Sequence, residues 1–180
     1  MRTTHQVQAQ VEPTDDPGRG EYVTIVGVEH VATHRGIRHD SLDPGSPLAP
    51  GKPGNALKPI LAGTPADLMF TKHVNSAFHG AVDLDARLTD RGIADVVLAG
   101  IQTNWCVETT ARVGGNLGYH VTVALDATHT FDLHGPHGDW TADQLYRATA
   151  ANLHGDGFAR ISSTAEVLAD IDRETQRMSS

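Results

Sequence analysis

The sequence predicts an α/β domain, three layers α/β/α built on a mostly parallel sheet, and three observations carry that expectation. Val96-Val-Leu-Ala99 is an unbroken apolar run of strand length, the pattern of a strand covered on both faces. Gly100 lets the chain turn directly after it, and Thr103 can cap a helix beginning at Asn104. From Asp67 onward, strand-like and helix-like stretches alternate at the spacing of right-handed parallel crossovers.

The elements follow in order. Residues 1–20 are polar and rich in Gln, Asp, Pro and Gly, the composition of a disordered leader. Tyr22-Val-Thr-Ile-Val-Gly-Val28 is the first strand-like run. The stretch from Asp43 to Pro59 carries Pro44, Pro47, Pro50 and Pro53 with Gly45, Gly51 and Gly54, which predicts a long loop lying over the strand ends. A strand is expected over residues 68–71, a helix over 83–91, the strand 96–99 and a helix over 104–117. A strand over 120–125 leads into a loop from Asp126 to Trp140. A Thr141-capped helix to His154, a short strand over 159–162 and a helix over 164–173 complete the pattern. Residues 21–174 thus read as one domain, with 175–180 as a tail.

Composition narrows the partners. A formal charge of −8 and a pI near 5.7, without clustered Lys and Arg, argue against a nucleic-acid partner. No apolar run has the length of a membrane span, and the first residues lack the pattern of a signal peptide. One cysteine allows no internal disulfide and suits a reducing compartment, so a cytoplasmic location is expected. Eleven histidines invite a metal, but His30, His34 and His39, and His129, His134 and His137, lack zinc-site spacing. No metal or other cofactor is expected.

Cys106 is the residue that suggests chemistry. With Thr103 as the cap it occupies the third helical position, where unpaired N–H groups and the positive helix end favour an anion. An arbitrary lone cysteine is more often a small core hydrophobe, but a strand-loop-helix junction is where nucleophiles sit. Lys72 falls just past another strand end, so one cleft can hold the ammonium and the thiol. Its bland alternative is a solvated strand end. Phe78, Trp105, Phe131 and Trp140 are candidates for a pocket over the sulfur, with core packing as the alternative.

Gly100-Ile-Gln-Thr-Asn-Trp-Cys-Val-Glu-Thr-Thr-Ala111 and Gly118-Tyr-His-Val-Thr-Val-Ala-Leu-Asp-Ala-Thr128 resemble the signature of the isochorismatase-like cysteine hydrolases. Lys72-His-Val-Asn-Ser-Ala-Phe78 and Leu88-Thr-Asp-Arg-Gly-Ile93 resemble the preceding segment of that family, and the resemblance runs from about Arg38 to Asp172. It implies a Rossmann-like fold, Cys106 as nucleophile and Lys72 as its cationic partner. It also implies a cis peptide joining Ile101 to Gln102, which turns the Gln102 N–H toward the Cys106 N–H as a pair of oxyanion donors. Relatives that deaminate nicotinamide carry a metal motif after the second strand, and Asp40-Ser-Leu-Asp-Pro-Gly-Ser46 has none, which disfavours that substrate.

One part of the family pattern is missing. Its third catalytic residue is an aspartate at the end of an apolar first strand, joined by a helix to the second. Val28 lies too close to Arg38 for such a parallel crossover, so the usual first strand is absent or replaced. Either the natural chain begins further upstream or in another frame, or an element has been lost, with or without the activity. Asp40 and Glu29 are the candidate substitute acids, surface charge being the alternative for both.

The expected function is cysteine-dependent hydrolysis of a small amide or carbamoyl compound through a thioester. The alternative is a catalytically impaired member of the fold acting in binding or assembly. A small-molecule substrate is the expected partner. A homo-oligomer, dimer or tetramer, is expected from the family and from the exposed edge that a lost strand would leave.

Overall fold

The computed structural model describes residues 22–27, 33–57 and 68–178. Six strands form one sheet: β1 (Tyr22–Gly27), β2 (Thr33–His39), β3 (Leu68–Lys72), β4 (Asp95–Ile101), β5 (His120–His129) and β8 (Arg160–Ser162), in the order β3-β2-β1-β4-β5-β8. β6 (Leu133–Gly135) and β7 (Gly138–Trp140) pair as a separate two-stranded ribbon. The helices are α1 (Leu84–Thr89), α2 (Glu108–Asn116), α3 (Ala142–Gly155) and α4 (Thr164–Met178).

β2 pairs parallel with β3, β4 with β5 and β5 with β8, whereas β1 lies antiparallel to both β2 and β4. β1 is therefore a reversed strand in the middle of an otherwise parallel sheet. The chain between Gly27 and Thr33 is long enough only for a hairpin, so reversal is the one way to place both strands side by side. The first strand of the expected parallel plan is replaced rather than absent. Because β1 sits between β2 and β4, it fills the place a lost strand would have left, and among the described residues the outer strands are β3 and β8.

Successive residues of β4 enter two different cores, which shows that both faces of the sheet are covered. Val96 and Leu98 join Ile37, Leu84, Leu88, Val107, Ala111 and Leu153 on the side of α1, α2 and α3. Val97 and Ala99 join Ala124, Val167 and Ile171 on the side of α4. Side chains such as Leu84, Leu88 and Leu98 are buried completely or nearly so, each worth about 1.5–3 kcal/mol in transfer from water. The result is a three-layer α/β/α arrangement.

Several boundaries differ from the sequence expectation. β2 has no counterpart among the expected strands, because Thr33-His-Arg-Gly-Ile-Arg-His39 holds a single large apolar residue, Ile37, which is fully buried. Gly100 lies inside β4 rather than ending it, at φ 124°, a backbone conformation that side-chain-bearing residues rarely adopt. There the register against β5 jumps, from Leu98 opposite Val123 to Gly100 opposite Thr128. β5 accordingly runs on to His129, so the expected loop from Asp126 is strand at its start and ribbon at its end. The expected tail is helical as far as Met178. The expected leader, residues 1–20, lies outside the described residues, and so does Glu29. Among the described residues no helix is long and apolar enough to cross a membrane.

Candidate active site

The carboxyl ends of β2, β3 and β4 converge. His39 stands opposite Lys72 in the parallel register of β2 and β3, so both residues end their strands at the same level. After β4, the Ile101–Gln102 peptide is cis. The chain then makes one π-helical turn over Thr103–Val107 before α2 begins. The Gln102 carbonyl accepts from the N–H groups of Trp105 and Val107 at 3.2 and 3.1 Å. Thr103 is therefore not the helix cap expected from its position. Its hydroxyl donates instead to Thr128 Oγ1 at 2.9 Å, a partner delivered by the register jump in β5. Turns of this kind often mark functional sites because they re-aim one side chain without ending the helix.

Cys106 Sγ lies 3.0 Å from Lys72 Nζ, and both residues are 0% exposed. The lysine also donates to the Val74 carbonyl at 3.0 Å and approaches His39 Nδ1 at 3.3 Å. An ammonium has three N–H groups, and here three acceptors surround it. Asn75 Oδ1 and His39 Nδ1 each lie 3.9 Å from the sulfur. A buried charge persists when it is paired and hydrogen-bonded, and an ammonium facing a thiolate satisfies both conditions.

His39 is the site residue that sequence reasoning passed over, having been weighed only as a metal ligand. Lysine has donors alone, so the contact with Lys72 makes Nδ1 an acceptor and places the ring proton on Nε2. The pKa of His39 falls from 6.5 to about 4, chiefly by burial, then through Lys72 and His73, with Asp40 opposing. Two signals point to it in retrospect: its place at the end of a strand, and the matching place of Lys72 on the next.

Asp40 is buried, but its carboxylate faces elsewhere. Arg38 Nε donates to Oδ1 at 2.7 Å and a second guanidinium nitrogen to Oδ2 at 3.2 Å, while Asn55 Nδ2 reaches Oδ1 at 2.9 Å. The Arg38 bonds hold its pKa below the usual carboxylate value, Asn55 adds to this and burial opposes it. No hydrogen bond among the described residues joins that carboxylate to Lys72 or Cys106, so Asp40 organises the loop. Asn55, on the Pro-rich segment, ties the same loop to the His39 carbonyl at 2.9 Å.

The aromatic candidates are dispersed. Phe78 stacks on Tyr119 with centroids 5.5 Å apart and packs against the core. Phe131 meets His129 edge to face at 4.9 Å, and Trp105 is exposed. The buried Gln102 Oε1 has no hydrogen-bond partner among the described residues. Among those residues, no three His, Cys, Asp or Glu side chains gather in a way that could hold a metal.

Cys106 and Lys72 thus lie buried together at the carboxyl end of the sheet in a three-layer α/β/α fold, the end at which such sheets carry their sites. The family model for the isochorismatase domain matches residues 7–166, and the chain belongs to that family. It is 35% identical over 135 residues to the uncharacterized isochorismatase family protein YrdC of Bacillus subtilis, covering 74% of this chain and 71% of that protein. It is 44% identical over 85 residues to the ureidoacrylate amidohydrolase RutB of Stutzerimonas stutzeri, covering 47% of this chain but only 34% of the relative. Among solved structures, an isochorismatase-family putative hydrolase from Chromobacterium violaceum superposes with a TM-score of 0.70 at 39% identity. That match covers 76% of this chain and 70% of the other.

Proposed function

We propose that the protein hydrolyses a small amide or carbamoyl compound, with Cys106 as nucleophile and a thioester as intermediate. The observation that carries this reading is the 3.0 Å contact between Cys106 Sγ and Lys72 Nζ within a set of three acceptors around the lysine. The ammonium stabilises the thiolate, and the thiolate attacks the carbonyl carbon. In this reading the Gln102 and Cys106 N–H groups hold the oxyanion, and Lys72 gives a proton to the leaving nitrogen. An amide or carbamoyl substrate also brings N–H donors, which the unpaired Gln102 Oε1 lacks. The amidohydrolase among the relatives supports a C–N bond as the target. A cytoplasmic location, expected from the single cysteine, and a homo-oligomer, dimer or tetramer, expected from the family resemblance, belong to the same reading.

One observation favours the second reading, a non-catalytic member acting in binding or assembly: the sulfur is fully shielded from solvent. Alkylation by iodoacetamide across pH separates the two. The hydrolase reading expects rapid modification of Cys106 with an apparent thiol pKa below about 7.5. Slow modification titrating near the ordinary value of about 8.5, or none in the folded protein, favours the second.

A further inference from the structure

We propose that His39 is the catalytic base of the second half-reaction, taking a proton from the water that cleaves the Cys106 thioester and returning it to Lys72. The inference rests on the hydrolase reading and adds a residue to it. Three features of the structure lead there. The Nδ1 atom of His39 faces both reacting groups, 3.9 Å from Cys106 Sγ and 3.3 Å from Lys72 Nζ. The strand register fixes that position, since His39 and Lys72 are paired at the ends of β2 and β3. The Asn55 bond to the His39 carbonyl anchors its backbone at the same point.

The ring is also in the right state. A base must begin unprotonated, and burial, with Lys72 beside it, holds His39 neutral at physiological pH, at the cost of a proton affinity below that of a free imidazole. In the resting site the Lys72 ammonium occupies the Nδ1 lone pair. In the acyl-enzyme the attacking water takes over that lone pair, whether or not the lysine has given up its proton, while Lys72 keeps its bond to the Val74 carbonyl.

The cycle balances. In the first half, Sγ bonds to the carbonyl carbon, the C–N bond breaks, and Lys72 Nζ protonates the departing amine. In the second, water oxygen bonds to the thioester carbon while one water proton passes to His39 Nδ1. The C–S bond breaks with its electron pair returning to sulfur, and the carboxylic acid leaves. The proton on Nδ1 then crosses to the neutral Lys72 amine, restoring the ammonium and the thiolate. The net change is amide plus water to acid plus amine.

The test uses 4-nitrophenyl acetate, whose leaving group departs as an anion and needs no proton from Lys72, so thioester hydrolysis is read alone. Wild type, H39Q and C106S are acetylated in the full chain, freed of reagent, and followed by intact mass as the acetyl group is lost. The wild-type adduct is expected to form on Cys106 and clear. In H39Q it is expected to form at a similar rate and clear about 10²-fold more slowly, the loss typical of removing a general base. Imidazole added to acetylated H39A should speed clearance again, which a purely structural role for His39 would not produce. Clearance from H39Q at the wild-type rate, or no imidazole rescue of H39A, overturns the role of His39 and leaves Cys106 as nucleophile. If wild type forms no adduct beyond that of C106S, the hydrolase reading falls, and the proposal falls with it.

Discussion

Asn55 Nδ2 donates to Asp40 Oδ1 at 2.9 Å, a bond between two buried side chains that closes the Pro-rich loop onto the end of β2. The same amide nitrogen also reaches the carbonyls of His39 and Leu48, at 2.9 and 3.0 Å. N55A removes all three bonds at once and leaves acceptors without their partner. We expect about 1–3 kcal/mol of lost stability in urea unfolding, the cost of unpairing buried polar groups. A loss within a few tenths of a kcal/mol would mean that the loop is not held by this residue.

Lys72 supplies the cation at the sulfur, so K72M, close in length but neutral, isolates its charge. Removing an opposite charge from beside a buried anion disfavours the anion, and the ionised fraction of the thiol at pH 7 falls about 10- to 10³-fold. Iodoacetamide modification should slow by a similar factor, and its pH profile should move to higher pH. Unchanged alkylation in a folded K72M would show that the 3.0 Å contact does not activate the thiol.

His39 gives the pH dependence of stability a definite sign. Its folded pKa of about 4 lies below the ordinary 6.5, so between those values the unfolded chain binds the proton more readily. The stabilising difference is fully present above pH 6.5 and is lost as pH falls toward 4. Lys72, His73 and Asp40 are the charged groups that act on it, and Asp40 alone favours protonation. Asp40 itself is depressed from 3.8, so its own contribution is lost only at lower pH still. Urea midpoints from pH 4 to 7 should therefore rise with pH in the wild type and rise less in H39Q. Equal slopes would place His39 in solvent.

The sequence made the strand-loop-helix unit around Cys106 legible because its signals are local: four consecutive apolar residues, then a glycine. The Thr141 cap was legible for the same reason, and its side chain accepts from the Gln144 N–H three residues on, whereas Asp83, expected inside its helix, is the cap of α1. β2 was not legible, because a strand pinned between two others can keep its place through backbone pairing with one buried isoleucine. The π-helical turn was not either, since a shift of one residue in the hydrogen-bond ladder leaves no trace in hydrophobic periodicity. His39 was hidden for a third reason. Its meaning comes from standing opposite Lys72 across 33 residues of sequence, a relation set by register alone.

Helix α2 reaches the chain entering β8 through a glycine. A Cβ added at Gly115 would lie 2.6 Å from the Phe158 carbonyl oxygen and 3.2 Å from its Cα, both backbone atoms that cannot swing aside. Arg112, one turn earlier on the same helix, places its guanidinium over the Phe158 ring at 4.8 Å, so a shift of Phe158 would disturb a second contact. Alanine ordinarily stabilises a helix relative to glycine by about 0.5–1 kcal/mol. Here the clash is expected to win, with G115A destabilised by about 1–3 kcal/mol, as in overpacked interiors. Gly155, at the end of α3, has nothing within 4 Å of its added Cβ and no positive φ, so G155A is the control and should gain about 0.4–1 kcal/mol. Urea midpoints that move in opposite directions for the two variants would confirm that the packing of α2 on Phe158 sets the sign. If both move upward, the close approach at Gly115 is not a constraint on the fold.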